Sequence, residues 1–376
     1  MKTVIIRGYY GRDNLGDELM KELFITHLKE EKVKLYIMNS APDDLSEIYG
    51  IETPNELITG KVPSLKVFLK RLKTIVCSDL YVYGGGTILT DKHSYKHLIE
   101  NCIYFWMRKF INKKSLLISV GATHFKTKIG KIACNLLIKG STLSYIRDTD
   151  SFKLLSELTK NSKKLIQSTD MVLLKKDDLV EEDEKTIDDR VAICIMPYYF
   201  STYHNKKGDE KILEQLVQEF EKVKLKHPKL KFSIIPIQFG KQDKTDYDFS
   251  LELFEKLKEK YQIDIFTGKS SKEKIEELKK CKYLISMRLH ALMLMKLMGK
   301  KVIAIDHNEK INYFMKRYDS TDNIVPFNEI GLLANKFENL FKDEIKDNKD
   351  NLLIDYELAK TNIDIIKKII KDLENE

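Results

Sequence analysis

An arginine and a histidine stand two residues apart at the start of the most apolar helical segment in the sequence, SMRLHALMLMKLMG (286–299). Nearly every side chain around the predicted helix is apolar, which is typical of a buried helix. At the start of this helix, Arg288 and His290 would either have polar partners within the protein or take part in its function. A guanidinium binds carboxylate or phosphate, and an imidazole exchanges protons near neutral pH. We predict that both residues are catalytic; for His290 the alternative is a satisfied core histidine.

Short apolar runs rich in β-branched residues alternate with amphipathic helical stretches along the whole chain. Strands are predicted at residues 3–8, 32–38, 79–84, 115–121 and 143–148, and again at 191–199, 231–239, 262–268, 282–288 and 300–306. Such alternation is typical of parallel sheets covered by helices on both faces. We therefore predict an α/β fold with two doubly wound, Rossmann-like domains that face a cleft.

A charged stretch with few apolar residues, KKDDLVEEDEKTIDDR, interrupts this alternation. It has no helical stripe and is predicted to be a linker. The predicted divisions are an N-terminal domain over 1–175, a linker over 176–190, a C-terminal domain over 191–345 and closing helices over 346–376.

Ligands of doubly wound sheets bind at the carboxyl ends of the strands, so residues at strand-to-helix turns are the candidates for binding. The first turn, RGYYGRDNLGDELM, contains Asn14, Gly16 and Asp17 immediately before a helix. Glycines admit close backbone approach, and a helix N-terminus attracts anions. We predict that these three residues bind substrate; a tight turn capped by Asp17 is the alternative.

Glycines and an acidic residue mark the second turn, YVYGGGTILTD. Gly84, Gly85 and Gly86 directly follow the predicted strand. Ordering three glycines on folding costs backbone entropy, and they have no side chains whose packing would offset that cost. We predict that they approach a ligand or another backbone closely, with a sharp bend as the alternative. Asp91 is included in the predicted substrate-binding set.

Arg147 ends the strand predicted at 143–148 and is predicted to bind an anionic group of the substrate, since a guanidinium binds carboxylate or phosphate at two points. The alternative is a structural clamp with the adjacent Asp148. His93 and His97 are interpreted as ordinary polar residues, and His124 as a surface residue.

Composition narrows the functional class. The 376 residues include 65 Lys and Arg against 57 Asp and Glu, a net charge of +8. This moderate excess suits an anionic ligand or membrane surface, and because it is interleaved with acids it does not indicate nucleic-acid binding. The five cysteines form no C-x-x-C pair, and no ligand set demands a metal. Neither a signal peptide nor a membrane span is recognisable, so we expect a cytoplasmic protein.

Four motifs occur in an order that resembles one family, the polysaccharide pyruvyl transferases. They are RGYYGRDNLGDELM, YVYGGGTILTD, YIRDTDSFKLL with STD (168–170) after it, and ISMRLHALMLMKLMGKKVIAIDHNEKI, spread over about 300 residues. The resemblance implies a GT-B-like fold, with the acceptor on the N-terminal and the donor on the C-terminal domain. It also implies that Arg288 and His290 belong to the active site. One departure is VGATHF, which lacks the Gly-Pro turn expected after that strand.

The activity implied is transfer of pyruvate from phosphoenolpyruvate to two hydroxyls of one sugar, giving a cyclic ketal and phosphate, in the synthesis of capsule, exopolysaccharide or cell-wall polymers. The donor needs two or more cationic or N–H-rich binding points, for which Arg288, Arg147 and the glycine loops are candidates. His290 would act in turn as acid and base. No cofactor is expected beyond the donor substrate.

Two other functions remain open at this stage. A GT-B glycosyltransferase that uses a nucleotide sugar would share the fold, since fold does not fix function. A non-catalytic protein that binds an anionic metabolite would use the same cationic side chains. The acceptor is a lipid-linked, nucleotide-linked or polymeric glycan, and a lipid-linked one would favour peripheral contact with the inner face of the membrane.

Overall fold

The computed structural model describes residues 1–60, 63–92, 94–179, 189–239, 245–341 and 349–375. The chain divides into two compact units. The first unit consists of Met1–Arg12, Gly16–Leu174 and Asp355–Glu376, and the second of Asp13–Leu15 and Lys175–Ile354. Each unit contains a six-stranded sheet whose paired strands are all parallel. The predicted α/β class with two doubly wound, Rossmann-like units is confirmed.

The first sheet has the strand order β2-β1-β3-β4-β5-β6. Its elements are β1 Lys2–Tyr10, α1 Leu15–Leu28, β2 Val33–Asn39, α2 Pro42–Tyr49, α3 Leu65–Cys77, β3 Leu80–Leu89, α4 Lys96–Phe110, β4 Lys114–Ala122, α5 Lys128–Gly140, β5 Leu143–Ile146, α6 Thr149–Thr159 and β6 Leu165–Gln167. The order reverses between β1 and β3, so the loops after these two strands diverge and leave room for a ligand.

The second sheet has the strand order β12-β11-β10-β7-β8-β9, which reverses between β7 and β10. The elements are β7 Arg190–Cys194, α7 Tyr198–Tyr203, α8 Lys206–Lys226, β8 Lys231–Ile234, α9 Asp246–Leu257, β9 Ile263–Ile265, α10 Ser271–Lys279, β10 Tyr283–Ser286, α11 Leu289–Leu297, β11 Lys301–Asp306, α12 Glu309–Arg317, β12 Ile324–Pro326, α13 Leu333–Phe337 and α14 Lys349–Asn375. The sequence did not predict the short strands β6 and β12.

The C-terminal helix α14 packs on the first unit. Asn362 is fully buried, and its amide nitrogen donates to Ser168 Oγ at 2.9 Å and to the Thr169 carbonyl at 3.3 Å. Two residues of the STD motif therefore anchor this helix. Residues 180–188 of the predicted linker and 346–348 of the predicted closing segment lie outside the described residues. Within the described ranges, no helix combines the length and the apolar character that crossing a membrane requires.

The glycine run lies inside β3 and not after it, which corrects the predicted strand end at residue 84. A Cβ on Gly84 would lie 2.7 Å from the Ile118 carbonyl oxygen of β4, and one on Gly85 would lie 3.0 Å from Met20 Sδ. Gly85 and Gly86 also have φ angles of +77° and +85°. Close packing against the neighbouring strand and α1 explains the first two glycines, since glycine alone fits such approaches without strain.

Replacing Gly84 by Ala is expected to lower the free energy of unfolding by about 1–3 kcal/mol, because the obstructing atom belongs to the backbone of the next strand. Gly331→Ala is the matched control, since a Cβ there meets nothing within 4 Å, and its effect should stay within about 0.5 kcal/mol. Urea denaturation of both variants measures this difference. Equal stability of the two variants would contradict the packing explanation.

Candidate functional site

The predicted catalytic pair lies where the strand order of the second sheet reverses. Ser286 ends β10, and its Oγ accepts from the Arg288 amide at 2.8 Å and donates to the Arg288 carbonyl at 3.0 Å. These two bonds fix the turn, so Arg288 becomes the N-cap of α11 and His290 falls in its first turn. Both side chains are partly exposed, whereas α11 is buried from Ala291 to Leu297. The sequence placed this pair at a helix entrance, and that placement is confirmed.

The guanidinium of Arg288 is held by a carboxylate that the sequence did not predict as part of the site. Arg288 Nε donates to Asp246 Oδ2 at 2.8 Å, and Nη2 donates to Asp246 Oδ1 and, at 3.2 Å, to Gln238 Oε1. A guanidinium gripped at two points by a carboxylate has one orientation. The side chain keeps 18% of its surface exposed, so it is fixed in direction and still accessible.

Asp246 is almost fully buried at the start of α9, with 1% of its side chain exposed. Burial raises the pKa of Asp246 above its ordinary value, and the charges of Arg288 and Lys274 oppose this rise. Lys274 is itself buried, and its Nζ donates to the Ile237 carbonyl at 3.2 Å. The cluster of Arg288, Lys274 and Asp246 therefore has two cations for one carboxylate.

The segment Asp13–Leu15, which contains the predicted substrate-binding residue Asn14, groups with the second unit. Asn14 forms an antiparallel β-bridge with Gln238, and the Leu15 amide donates to the Ile237 carbonyl at 3.3 Å. Gln238 also contacts Arg288, so the first motif and the last motif meet through one side chain.

In the first unit, a pocket of about 630 Å³ opens where β1 and β3 separate. Two of the predicted binding residues, Asp17 and Gly86, line it. The other lining residues that matter for its chemistry are Arg7 on β1 and His97 and Glu100 on α4. His97 Nε2 lies 3.0 Å from the Ile88 carbonyl, and burial lowers the pKa of His97.

An ion-pair network forms the floor of this pocket. Arg7 Nη2 donates to Glu100 Oε2 at 2.6 Å, and Arg71 Nη1 and Tyr104 Oη donate to Glu100 Oε1 at 3.3 and 2.6 Å. Burial alone would raise the pKa of Glu100, but the charge and hydrogen bond of Arg7 and the bond from Tyr104 outweigh it and lower the pKa to about 2. The guanidinium of Arg7 also lies 5.7 Å from the Tyr83 ring centroid, so it is held on several sides.

The remaining predicted binding residues make contacts within the chain. The Arg147 guanidinium donates to Asp170 Oδ2 at 2.8 Å and to Thr87 Oγ1 at 2.7 Å, which matches the structural clamp left open above, although the main partner is Asp170 and not Asp148. Asp91 accepts from the amides of Lys126 and Thr127 at 2.8 and 2.7 Å.

Neither Arg147 nor Asp91 lines the pocket, and Gly16, Gly84 and Gly85 do not line it either. Gly16 is buried in α1. A binding role for these residues stays a prediction. His124 is exposed, as expected, and His93 lies outside the described residues. In the described part of the chain, no three His, Cys, Asp or Glu side chains are grouped to hold a metal ion.

Sequence reasoning missed Arg7, Glu100, Asp246, Gln238 and Lys274. A signal for Arg7 was present, since it stands in β1 directly before the first glycine loop. Asp246 had no comparable signal, because it lies 42 residues before its partner Arg288 at the start of an ordinary amphipathic helix.

Comparison with solved structures agrees with the two-unit architecture. The UDP-GlcNAc 2-epimerase of Methanocaldococcus jannaschii, solved with UDP-GlcNAc and UDP, is 14% identical over 98% of this chain and 100% of its own, with a TM-score of 0.63. The UDP-GlcNAc 2-epimerase of Neisseria meningitidis is 13% identical over 99% of this chain and 100% of its own, with a TM-score of 0.62. The enzyme of the same name from Rickettsia bellii is 12% identical over 99% of this chain and 96% of its own, also with a TM-score of 0.62. The fold is therefore GT-B-like.

A family model described as polysaccharide pyruvyl transferase matches residues 14–309, which include Arg288, His290 and most of both units. The chain belongs to the polysaccharide pyruvyl transferase family. No curated protein matches it significantly.

The ion pair of Glu100 makes the free energy of unfolding depend on pH. The pKa falls from an ordinary 4.5 to about 2 in the folded state, so the ionised carboxylate contributes about 3 kcal/mol. That contribution is complete above the unfolded pKa and is lost as the pH falls from about 5 to 2. Glu100→Gln should therefore be less stable by about this amount at pH 7, and the difference should shrink below about pH 5.

Urea denaturation at a series of pH values measures the effect. Glu157→Gln serves as the control, since Glu157 lies exposed on α6 and its variant should track the parent protein. A stability difference between Glu100→Gln and the parent that does not change with pH would contradict the ion-pair explanation.

Proposed function

We propose that this protein transfers pyruvate from phosphoenolpyruvate to two hydroxyls of one sugar as a cyclic ketal and releases phosphate. One observation carries the proposal. Arg288, oriented by the buried Asp246, and His290 stand together at the reversal point of the second sheet, within a segment matched by the family model. The residues needed for an anionic donor and for proton transfer therefore share one turn.

The donor would bind next to Arg288. Phosphoenolpyruvate has a carboxylate and a phosphate on a small carbon frame, so it requires concentrated positive charge. Arg288 supplies an oriented guanidinium, and the buried Lys274 adds a second cation. The cluster that these two residues form with Asp246 therefore keeps a net positive charge. Fixed charges in a site that excludes water stabilise a departing phosphate without reorganisation.

The chemistry then requires proton transfers that one imidazole can carry out. A proton is added to the methylene carbon of the donor, and the first sugar hydroxyl attacks C2 and loses its proton. The C–O bond to phosphate breaks, and the second hydroxyl attacks the same carbon and loses its proton to close the ketal. The two hydroxyl protons balance the new methyl group and the released phosphate. We assign these transfers to His290, which alternates between acid and base.

The acceptor sugar would occupy the pocket of the first unit. Its volume of about 630 Å³ lies within the range of about 300–1,000 Å³ that small-molecule sites have. Its wall combines the aromatic Tyr83 with the charged pair Arg7 and Glu100 and with Asp17. Carboxylate and guanidinium groups on one wall suit a hydroxyl-rich ring, because the carboxylates accept hydrogen bonds from hydroxyls and the guanidinium donates to them.

Two other functions would use the same geometry. Solved structures of the same fold contain UDP-GlcNAc or UDP, so a glycosyltransferase that uses a nucleotide sugar is one alternative, by fold analogy alone. A non-catalytic protein that binds an anionic metabolite is the other. No cofactor besides the donor is proposed.

Replacement of His290 by Asn should leave the protein folded and lower turnover about 10²–10⁴-fold, because the amide cannot exchange protons. The measurement is phosphate release from phosphoenolpyruvate with lipid-linked and nucleotide-linked sugars as acceptors. His204→Asn is the matched control, since His204 is exposed at the end of α7. Normal turnover in folded His290→Asn would contradict the assignment. Phosphoenolpyruvate binding without release would favour the metabolite-binding protein, and consumption of a nucleotide sugar alone would favour the glycosyltransferase.

Asp246→Asn tests whether Asp246 positions Arg288. A neutral amide of the same shape removes one buried charge but leaves the Arg288 guanidinium and the buried Lys274 without their carboxylate, so the free energy of unfolding should fall, by as much as about 3 kcal/mol. Arg288 loses the carboxylate that orients it, so KM for phosphoenolpyruvate should rise about tenfold or more while kcat changes less. Steady-state kinetics beside urea denaturation test this. A fall in kcat alone would assign Asp246 a different role.

A further inference from the structure

Helices α4 and α5 expose a group of large apolar side chains that the proposed reaction does not use. On α4 and just after it these are Ile99, Ile103, Met107, Phe110 and Ile111, and on α5 they are Ile129, Ile132 and Leu136. Their spacing of three or four residues places them on the outer side of each helix. Exposure reaches 79% at Phe110 and 59% at Ile132. We refer to these eight residues as the α4–α5 face.

The two stripes lie side by side and form one surface. Cys102 Sγ donates to the Ala133 carbonyl at 2.8 Å, and Trp106 Nε1 donates to the Leu136 carbonyl at 3.0 Å. Each contact joins positions about 30 residues apart, so the helices run parallel and in step. Contiguous exposed apolar surfaces of this kind mark interaction sites, whereas single exposed apolar residues do not.

The charges on α4, on α5 and on the segment between them are almost all positive. Residues 96–140 contain nine Lys and Arg and a single acidic residue, Glu100, which is paired with Arg7. The exposed cations are Lys96, Lys109, Lys114, Lys126, Lys128, Lys131 and Lys139. An apolar stripe bordered by lysines fits the boundary between headgroups and acyl chains of an anionic bilayer. A symmetric contact between two copies would place lysines against lysines, so a second copy fits less well.

We propose that the α4–α5 face docks the protein on an anionic phospholipid bilayer. The apolar stripes enter the headgroup boundary, and the lysines contact the lipid phosphates, with their alkyl chains lying along the apolar surface. The proposal does not depend on the pyruvyl transfer, because vesicle binding is measured without donor or acceptor.

The single tryptophan of the chain provides a direct probe. Trp106 lies on α4 beside residues of the face. Its ring centroid is 5.9 Å from that of Phe110 and 4.6 Å from Lys109 Nζ. With vesicles of equimolar phosphatidylglycerol and phosphatidylcholine, the full-length protein should co-sediment and its emission should shift to shorter wavelength. Brominated acyl chains should quench that emission. Phosphatidylcholine alone, or about 0.5 M salt, should reduce binding strongly.

Two kinds of variant test the face. Phe110→Asp combined with Ile132→Asp, and separately Lys131→Glu combined with Lys139→Glu, should each weaken vesicle binding about tenfold or more. The matched controls on α8 are Leu225→Asp and Lys211→Glu, both exposed, and they should bind like the parent protein. Circular dichroism confirms that the variants fold.

Absence of binding to anionic vesicles at low salt would overturn the proposal, as would equal binding by all variants. A dimer in solution that the Phe110 and Ile132 variant converts to a monomer, without vesicle binding by the parent, would instead identify the face as a contact between copies.

Discussion

The buried carboxylate of Asp246 is the constraint on which the site of the second unit depends. Taking an ionised carboxylate out of water costs several kcal/mol, so a cation has to lie against it. Arg288 donates from two of its nitrogens to the two oxygens of Asp246. Because guanidinium and carboxylate are both planar, this paired contact allows the guanidinium one orientation. The bonds from Ser286 then fix the turn that places His290 beside it. The Asp246 carboxylate thus sets the direction of the Arg288 guanidinium, and the Ser286 bonds set the place of the imidazole.

The first unit contains a comparable ion pair, at Glu100, with the opposite balance between the attraction of the charges and the cost of burial. Glu100 keeps 19% of its side chain exposed and accepts from Arg7, Arg71 and Tyr104, so attraction exceeds the cost of burial and its pKa falls to about 2. Asp246 is 1% exposed, and burial raises its pKa despite Arg288. Glu100 therefore stabilises the fold as an ionised group. Burial opposes the ionisation of Asp246, and its carboxylate orients Arg288.

The sequence predicted those parts of the fold and site that local pattern determines. Alternating apolar strands and amphipathic helices indicated two parallel sheets, and a strand end before an apolar helix located Arg288 and His290. The glycine run was placed after β3 because glycine is rare in strands, and only the proximity of Ile118 in the next strand and of Met20 in α1 explains the position of Gly84 and Gly85. Asp246 and Glu100 could not be predicted, because they meet their partners across 42 and 93 residues and occupy ordinary helical positions. The partner of Arg147, Asp170, lies 23 residues away and could not be predicted either, and the binding role of Arg147 stays a prediction.

Helix α4 connects the pocket of the first unit with its apolar surface. His97 and Glu100 project from its inner side and line the pocket, whereas Ile99 and Ile103 lie on the outer side. Pocket and face are thus separated by about one helix diameter, roughly 10–12 Å. A bilayer bound to that face would lie close to the pocket. A nucleotide-linked sugar diffuses freely and gains nothing from the arrangement. If the pocket holds the acceptor and the face docks on a bilayer, as proposed, their place on one helix favours a lipid-linked acceptor over a nucleotide-linked one.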